Sequence, residues 1–359
     1  MKLLRVALHG VLIAFGIALS TVPVKPTPSH IRQQFRKEPL LDQWREFDFL
    51  RDSKLEESAL EPFFATRPQL LVQRIWKVAS TLSRAQRDWE NSKNGTSLCE
   101  AISSLGPLAV KVGQTLSQRP DIVGEEAAIE LQRLQTNNLP FDNELAFAVI
   151  RESLQCTVIA PGIGKGKGDP LFANMSPDPV ACASLGQVYR ATTHDGRDVA
   201  VKVQRPDAMA ILSIDAQCFR IVFRIREKIQ SIQNLVRSGD FNKNLKIEEE
   251  ARGKQSVGTV IDRVARDILD EIDYTIEIAN NLEFRESLSF LGFVTTPTVI
   301  DEYCSDRILV TEWIPGKHLN KLSVEQGLAM TRMAVEACTA SLVLTGLVHA
   351  DPHEVRNIS

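Results

Sequence analysis

Two short apolar runs that flank an Asp-Gly pair constrain the fold of this chain most strongly. Ala183 to Ala191 and Asp198 to Gln204 both have the composition of β-strands, and His194-Asp195-Gly196 lies between them. An Asp-Gly pair between two such runs is a strong signal for a β-hairpin. The second run contains Val199-Ala200-Val201-Lys202, which puts a lysine where its ammonium group can reach a phosphate from the sheet. Many strands end in lysine, so this motif gains its weight from the strand and turn before it.

Helical spacing dominates the rest of the chain. Apolar and charged residues alternate at three- and four-residue intervals between residues 40 and 160, and one of the helices predicted there begins near Ser97. The later elements predicted from periodicity are helices over 206–235, 257–288 and 323–344 and strands over 293–300 and 307–313. Together these elements predict an α+β fold in which an antiparallel sheet follows a helical N-terminal region.

The first residues have the composition of a targeting leader. Lys2 and Arg5 precede an apolar run from Val6 to Ala18, which is short for a membrane span. No Asp or Glu occurs before Glu38, and the interval is rich in basic, Thr, Pro and Ser residues. A signal-like segment followed by a basic stretch without acids is typical of the two-part leader of plastids that have extra membranes. A plain secretory signal, a mitochondrial leader and an uncleaved anchor are the alternatives.

Charge, cysteine content and hydropathy argue against several functional classes. The net charge of −3 gives no basic field for nucleic acid, and the six cysteines are scattered without a Cys-x-x-Cys pair, which argues against a zinc site or disulfide framework. No uninterrupted run of about 18 apolar residues occurs after residue 40, so no membrane insertion is predicted there. Five apolar residues offer a peripheral membrane contact, although core packing is the preferred use: Phe47, Phe49, Leu50, Phe63 and Phe64.

An acidic segment and a glycine-containing helix carry further candidates. In Glu271-Ile272-Asp273-Tyr274-Thr275-Ile276-Glu277, Asp273 and Glu277 are four residues apart and would share one face of a helix. One acid could pair with the strand lysine, or the segment is a solvated acidic face. Lys111-Val112-Gly113-Gln114 puts a glycine inside a predicted helix, at a cost of about 1 kcal/mol relative to alanine. That cost predicts a close contact at Gly113, and a tight helix crossing would account for it equally.

The segment His349-Ala350-Asp351-Pro352-His353 has the His-x-Asp core of a kinase-like catalytic loop. Such a loop needs an Asn five positions after the Asp. That position holds Arg356, and Asn357 stands one place late. No Asp-Phe-Gly segment follows before Ser359. We therefore expect the 359-residue form to be truncated within the loop, inactive and poorly stable alone.

The order of these motifs resembles that of the UbiB family of atypical kinase-like proteins, also called aarF-domain kinases. Lys-x-Gly-Gln, the Ala-rich segment 181–191, Val-Ala-Val-Lys, Glu-x-Asp, Thr311-Glu312-Trp313 and the His-x-Asp loop follow one another over roughly residues 40–353. The plant and algal plastid branch is the most similar. The resemblance implies a protein-kinase-like fold whose parts are a leader (1–37), a helical N-terminal extension (38–160), a small lobe with an antiparallel sheet (161–310), and a hinge with the start of an incomplete large lobe (311–359).

The resemblance also implies roles for individual residues. Lys202 would contact nucleotide phosphates and pair with Glu277, and Asp351 would be the catalytic carboxylate. The other implied site residues lie over the phosphates, at the hinge or in the family motif that folds over the site: Ala183, Ser184 and Gly186 over the phosphates, Glu312 at the adenine-facing hinge, and Lys111, Gly113, Gln114, Glu271 and Asp273 in the family motif.

The function implied by the resemblance is ATP or ADP binding with Mg²⁺, and ATPase or small-molecule or lipid kinase activity linked to isoprenoid quinone metabolism. In this family the N-terminal extension blocks the groove that a protein substrate would use. The implied partner is a prenylquinone or another lipid at a membrane or lipid-droplet surface, in a plastid (plastoglobule or thylakoid) or a mitochondrion. Two alternatives stay open, a catalytically dead nucleotide-binding pseudokinase and a helical interaction module.

Overall fold

The computed structural model describes residues 37–92, 95–134, 140–164, 167–183, 185–238, 257–316 and 322–347. Its α-helices, in chain order, are α1 Phe49–Asp52, α2 Glu57–Ala65, α3 Pro68–Ser92, α4 Gly95–Ser104, α5 Pro107–Ser117, α6 Pro120–Val123, α7 Glu125–Leu131, α8 Asn143–Ser153, α9 Ala208–Ser238, α10 Val257–Glu271, α11 Tyr274–Ser287 and α12 Val324–Ala340. Its strands are β1 Val158–Ala160, β2 Ile163–Gly164, β3 Asn174–Met175, β4 Ala181–Cys182, β5 Gly186–Thr192, β6 Asp198–Gln204 and β7 Ile308–Glu312. Short 3₁₀-helices cover Pro39–Phe47, Ser289–Leu291 and Asp301–Tyr303.

An antiparallel sheet forms the centre of the C-terminal half. Its strands lie in the order β3-β5-β6-β7, and β4 also pairs with β5. The predicted hairpin is β5 and β6, and Gly196 in its turn has a φ of +85°, which glycine adopts without strain. The predicted α+β class with an antiparallel sheet is thus confirmed.

Alternation along β6 separates the core face of the sheet from the face that carries the site. Val199, Val201 and Val203 are fully buried, whereas Lys202 between them is only partly buried. Successive side chains of a strand point to opposite faces. The three valines therefore belong to the core, and Lys202 lies on the other side of the sheet.

Two apolar clusters hold the described elements together. The first is helical and includes Leu60 of α2, Val78 of α3 and Ile261 of α10. The second lies between the sheet and α8, where Phe147 and Ile150 pack with the core face of β5, β6 and β7. Helix α8 therefore covers the core face of the sheet. The domain boundaries drawn from the sequence stay a prediction.

Two predicted helices are each divided in the structure. The helix expected from Ser97 onward breaks at Gly106, which has a φ of +95°, and α5 begins with Pro107. The Lys-x-Gly-Gln motif therefore lies on α5 and not on a helix that begins near Ser97. The helix predicted over 257–288 breaks before Asp273, whose side chain caps α11 by accepting from the Thr275 N–H at 3.0 Å. Aspartate is a preferred N-cap residue, so the helical periodicity continued across a true boundary.

The strand predicted over 293–300 is also wrong. In this segment only Val299 forms an isolated bridge, to Thr311 of β7, and the Thr298 carbonyl accepts from the Glu312 N–H at 2.7 Å. Pro297 has no N–H to donate to a ladder, which is why the apolar composition does not extend into a strand.

Val324–Thr345 qualifies as a candidate membrane span by length and composition. It comprises α12 and a π-helical turn, Ser341–Thr345, and only 11% of the apolar window is buried. The search for an apolar run did not single out this segment, and the expectation of no membrane insertion after residue 40 stays a prediction. The count of uninterrupted apolar residues failed because Arg332 and Glu336 interrupt a segment whose average hydropathy is still high.

Candidate nucleotide site

The side chains of Lys202 and Glu277 meet on the open side of the sheet. The Lys202 ammonium nitrogen lies 2.5 Å from a carboxylate oxygen of Glu277. Lys202 comes from β6, opposite Val188 and Leu309, and Glu277 from the first turn of α11. The two side chains are 27% and 40% exposed, so a ligand in solution can reach the pair.

Tyr274 forms the floor beneath this ion pair. It is 3% exposed, and its ring centroid lies 4.6 Å from the Lys202 ammonium nitrogen, within range for a cation–π contact. Burial raises the pKa of the Tyr274 hydroxyl well above its ordinary value, and the Glu277 and Glu271 carboxylates raise it further. The hydroxyl therefore stays protonated at neutral pH. Sequence reasoning did not assign Tyr274 to the site, although it lies inside the acidic segment directly after Asp273.

The Ala-rich segment approaches the same place with its backbone. A Cβ atom at Gly186 would lie 2.7 Å from the Tyr274 hydroxyl oxygen and 2.9 Å from the Val203 carbonyl oxygen. Both distances are below normal contact, so only glycine fits the first position of β5 without a shift of its neighbours. The N–H of Ala183, which is exposed, donates to the Gly186 carbonyl at 2.8 Å and closes the turn. Ser184 lies outside the described residues.

Buried polar side chains behind this segment fix β5 on α8. The Gln187 amide donates to the Tyr189 hydroxyl at 2.5 Å, and that hydroxyl donates to Asn143 at 2.7 Å. The Gln187 side-chain oxygen accepts from the Phe141 N–H at 3.1 Å. Such a satisfied network is rigid, because breaking any bond leaves a buried polar group unpaired. None of these residues was predicted, since nothing in the local sequence links Asn143 to a strand more than forty residues away.

The acidic segment has a different geometry from the one predicted. Asp273 lies outside the helix that carries Glu277, because it precedes α11 as its cap, and its carboxylate also accepts from the Thr275 hydroxyl at 2.6 Å. Glu271 is the last residue of α10 and is exposed. Helix α5 packs against α10, so the Lys-x-Gly-Gln helix contacts the helix that ends at Glu271.

Gly113 and Gln114 contact the end of the α7 region. A Cβ at Gly113 would collide with a Leu134 methyl group and touch Ile102. The Gln114 amide donates to the Leu134 carbonyl at 3.4 Å. The glycine thus permits the close crossing that the sequence allowed as an alternative. The role of Lys111, Gly113 and Gln114 over a nucleotide stays a prediction.

Glu312 lies at the end of β7, exposed and opposite Val199 of β6. The Trp313 N–H donates to the Asp198 carbonyl at 2.9 Å and continues the pairing one step further. Glu312 is therefore on the strand next to Lys202 and three residues along the sheet, or roughly 10 Å, but its side chain lies on the same face as Val199, opposite that of Lys202. Asp351 lies outside the described residues.

The chemistry available here is the binding of a phosphorylated ligand. A lysine that is held by a carboxylate and is reached by solvent provides a cation for a phosphate. Among the described residues, no group of three or more His, Cys, Asp or Glu side chains could hold a metal ion. Metal ligands are therefore not assigned.

Residues 133–358 match the family described as the ABC1 atypical kinase-like domain. The chain is 30% identical over 306 residues to an Arabidopsis thaliana protein described as an uncharacterised aarF domain-containing protein kinase, chloroplastic. The matched region covers 82% of this chain and 39% of that protein. It is 34% identical over 262 residues to the Arabidopsis protein ACTIVITY OF BC1 COMPLEX KINASE 1, chloroplastic, covering 70% and 34%.

Other matches come from bacteria. An uncharacterised protein of Synechocystis is 30% identical over 324 residues, covering 86% of this chain and 52% of that protein. A Mycobacterium tuberculosis protein solved in complex with erythromycin aligns with a TM-score of 0.42 at 25% identity, covering 72% of this chain and 59% of that one. The chain spans about a third to a half of the length of the curated relatives it matches.

Proposed function

The chain belongs to the ABC1 atypical kinase-like family, as the resemblance to aarF-domain kinases predicted, and on that premise we propose that it binds ATP or ADP at Lys202. Kinase-like domains generally use a nucleotide together with Mg²⁺. In the proposed complex Lys202 contacts the phosphates, Glu277 orients Lys202, and the backbone from Ala183 to Gly186 lies over the phosphates. The backbone at Glu312 marks the adenine-facing side, because its side chain lies on the other face of the sheet.

The ion pair between Lys202 and Glu277 carries the proposal. The oppositely charged groups lie within hydrogen-bond distance, at 2.5 Å, and they join two segments that are 75 residues apart in sequence. An exposed pair of this kind contributes little to stability, typically less than about 1 kcal/mol. The ion pair is therefore better explained as a contact that orients Lys202 toward a ligand than as a contact that stabilises the fold.

The finer function rests on the resemblance and on the relatives' names. We propose an ATPase or small-molecule or lipid kinase activity linked to isoprenoid quinone metabolism, in a plastid, with a prenylquinone or another lipid as partner. Relatives described as chloroplastic support the location. Phe47, Leu50, Phe63 and Phe64 are buried, so a lipid contact would not use them, whereas Phe49 is 51% exposed and the core packing expected of it is wrong.

Nucleotide-dependent thermal stabilisation of the full 359-residue chain tests the binding. We expect ATP and ADP, each with and without Mg²⁺, to raise the midpoint of unfolding, and Lys202→Met to abolish the increase. Lys77→Met is the matched control, because Lys77 is an exposed lysine on α3. An equal nucleotide response in Lys202→Met and the wild type would refute the proposal, as would no response in the wild type.

Turnover separates the kinase from the pseudokinase. Asn357 follows Asp351 one position later than a kinase loop requires, which favours a protein that binds nucleotide without transferring a phosphoryl group. Release of phosphate from ATP by the wild type, lost in both Lys202→Met and Asp351→Asn, would establish an ATPase. Binding without release would establish the pseudokinase.

A further inference from the structure

We propose that Tyr274 is a positioning residue of this site, which acts on Lys202 through its ring and on the start of β5 through its hydroxyl. The first half rests on the proposed nucleotide binding. The second half is a statement about packing and is independent of any ligand. Tyr274 does not reach the proposed ligand itself, because it is 97% buried beneath Lys202.

The backbone on both sides of Tyr274 is fixed by hydrogen bonds. Its own N–H donates to the Asp306 carbonyl at 3.1 Å. Two residues earlier, the Ile272 carbonyl accepts from the side chain of Gln204, the last residue of β6. Asp273 between them caps α11. The break between α10 and α11 is therefore tied to the end of the strand that carries Lys202, so the ring has a defined place relative to that lysine.

The ring supports Lys202 in a way that a second carboxylate could not. Lys202 lies between the Glu277 carboxylate at 2.5 Å and the Tyr274 ring centroid at 4.6 Å. A second carboxylate would hold the ammonium group but would also repel a phosphate. The aromatic face attracts the cation without adding a net negative charge. It therefore keeps Lys202 oriented and leaves the site attractive to an anion.

The hydroxyl of Tyr274 bounds the space at Gly186. Its oxygen is the atom nearest to a Cβ built at Gly186, at 2.7 Å, and the Val203 carbonyl oxygen follows at 2.9 Å. One side of this narrow space is the backbone of β6, which is fixed in the sheet, and the other is the side chain of Tyr274, whose backbone is held by the bonds described above. The same residue that supports the lysine thus also sets how closely the phosphate-facing backbone approaches it.

Three variants of the 359-residue chain test the ring. We expect Tyr274→Leu to weaken ATP·Mg²⁺ binding, measured by titration calorimetry, by roughly 3- to 10-fold, as the loss of a cation–π contact implies. Tyr274→Phe keeps the aromatic face and should keep most of the affinity. Tyr303→Leu is the matched control, since this tyrosine packs against Phe172 away from Lys202. Wild-type affinity in Tyr274→Leu, or an equal loss in Tyr274→Phe, would overturn the role of the ring.

A double-mutant cycle in thermal unfolding tests the hydroxyl without a ligand. Gly186→Ala should lower the midpoint less in the Tyr274→Phe background than in the wild type, because the nearest obstacle to the new methyl group has been removed. Part of the loss should remain because of the Val203 carbonyl. Equal losses in both backgrounds would overturn the contact. If the wild type binds no nucleotide, the proposed role of the ring fails together with the proposed function. The double-mutant cycle still tests the contact of the hydroxyl with Gly186.

Discussion

Replacement of Arg74 by methionine is expected to destabilise the helical core, because it leaves the Asp215 carboxylate buried without its counter-ion. The two side chains form a bidentate pair between α3 and α9, with N–O distances of 2.6 and 2.8 Å. The same guanidinium also donates to the Leu105 carbonyl, just before Gly106 and the start of α5. The Arg74 contacts therefore join α3 and α9 to the turn that precedes α5, the helix that carries Lys-x-Gly-Gln.

The size of the effect follows from burial. The Asp215 side chain is 2% exposed and that of Arg74 19%. Removal of one partner from a buried pair typically costs about 3–5 kcal/mol, and the partial exposure of Arg74 favours the lower end. We therefore expect a loss of about 3 kcal/mol at pH 8. Replacement of both partners by apolar residues, Arg74→Met with Asp215→Leu, should cost less than the single change.

The loss should depend on pH in a defined direction. Burial raises the pKa of Asp215 to about 6, and Arg74 counteracts part of that rise. The folded carboxyl thus binds a proton more tightly than the unfolded one, so its ionisation lowers stability as the pH rises from about 4 to 6. Without Arg74 the pKa of this carboxyl is higher still, and the variant continues to lose stability above pH 6. The difference from the wild type should therefore be larger at pH 8 than at pH 5.

Urea unfolding followed by circular dichroism at pH 5 and pH 8 measures the loss of unfolding free energy and its dependence on pH. Comparison of variant and wild type at each pH cancels the titration of groups that are unaffected by the change. Arg84→Met is the control on the same helix, because the Arg84 side chain is exposed and reaches only the Ser80 carbonyl at 3.4 Å. It should stay within about 0.5 kcal/mol of the wild type. A difference below about 1 kcal/mol, or one that is equal at both pH values, would refute the reasoning.

Two further predictions use paired substitutions read out by thermal or urea unfolding. Gly327→Ala in the open interior of α12 should stabilise by about 0.5–1 kcal/mol, whereas Gly113→Ala should stabilise less, because the new methyl group displaces a Leu134 methyl group and offsets part of the gain in helix propensity; equal effects would contradict the crossing seen at Gly113. Asp273→Ala should lower stability by about 1 kcal/mol through loss of the cap, and Asp273→Asn should retain most of the stability that the cap provides. If Asp273→Asn keeps stability but loses ATP·Mg²⁺ binding, its charge serves the ligand as well as the cap.

Local signals account for the parts of the fold that the sequence predicted. The hairpin of β5 and β6 follows from Asp195-Gly196 and the alternation around it, since both are properties of neighbouring residues. The breaks at Gly106 and before Asp273 escaped because periodicity extends over a boundary when both helices contribute to one core. The cap at Asp273 could have been recognised from an aspartate followed by Tyr274 and Thr275 at a helix start.

The site itself was only partly accessible from the sequence. The motif order suggested Lys202 and Glu277 as partners, and the structure brings them together. The contacts of Tyr274 with Lys202 and with the space at Gly186 depend on how α11 meets the sheet, which no local pattern encodes. The same holds for the bonds between Gln187, Tyr189 and Asn143, which join a helix to a strand far along the chain.

The two ion pairs, compared directly, indicate a division of tasks between scaffold and site. Arg74 and Asp215 are held in the core, where loss of one partner is expensive and exchange for a ligand is excluded. Lys202 and Glu277 are 27% and 40% exposed, where water screens their attraction and either group can turn to a ligand at little cost. An ion pair that served stability would be favoured in the buried arrangement. The exposed pair, supported from below by a buried aromatic ring, instead has the properties needed to present a cation to an anion from solution.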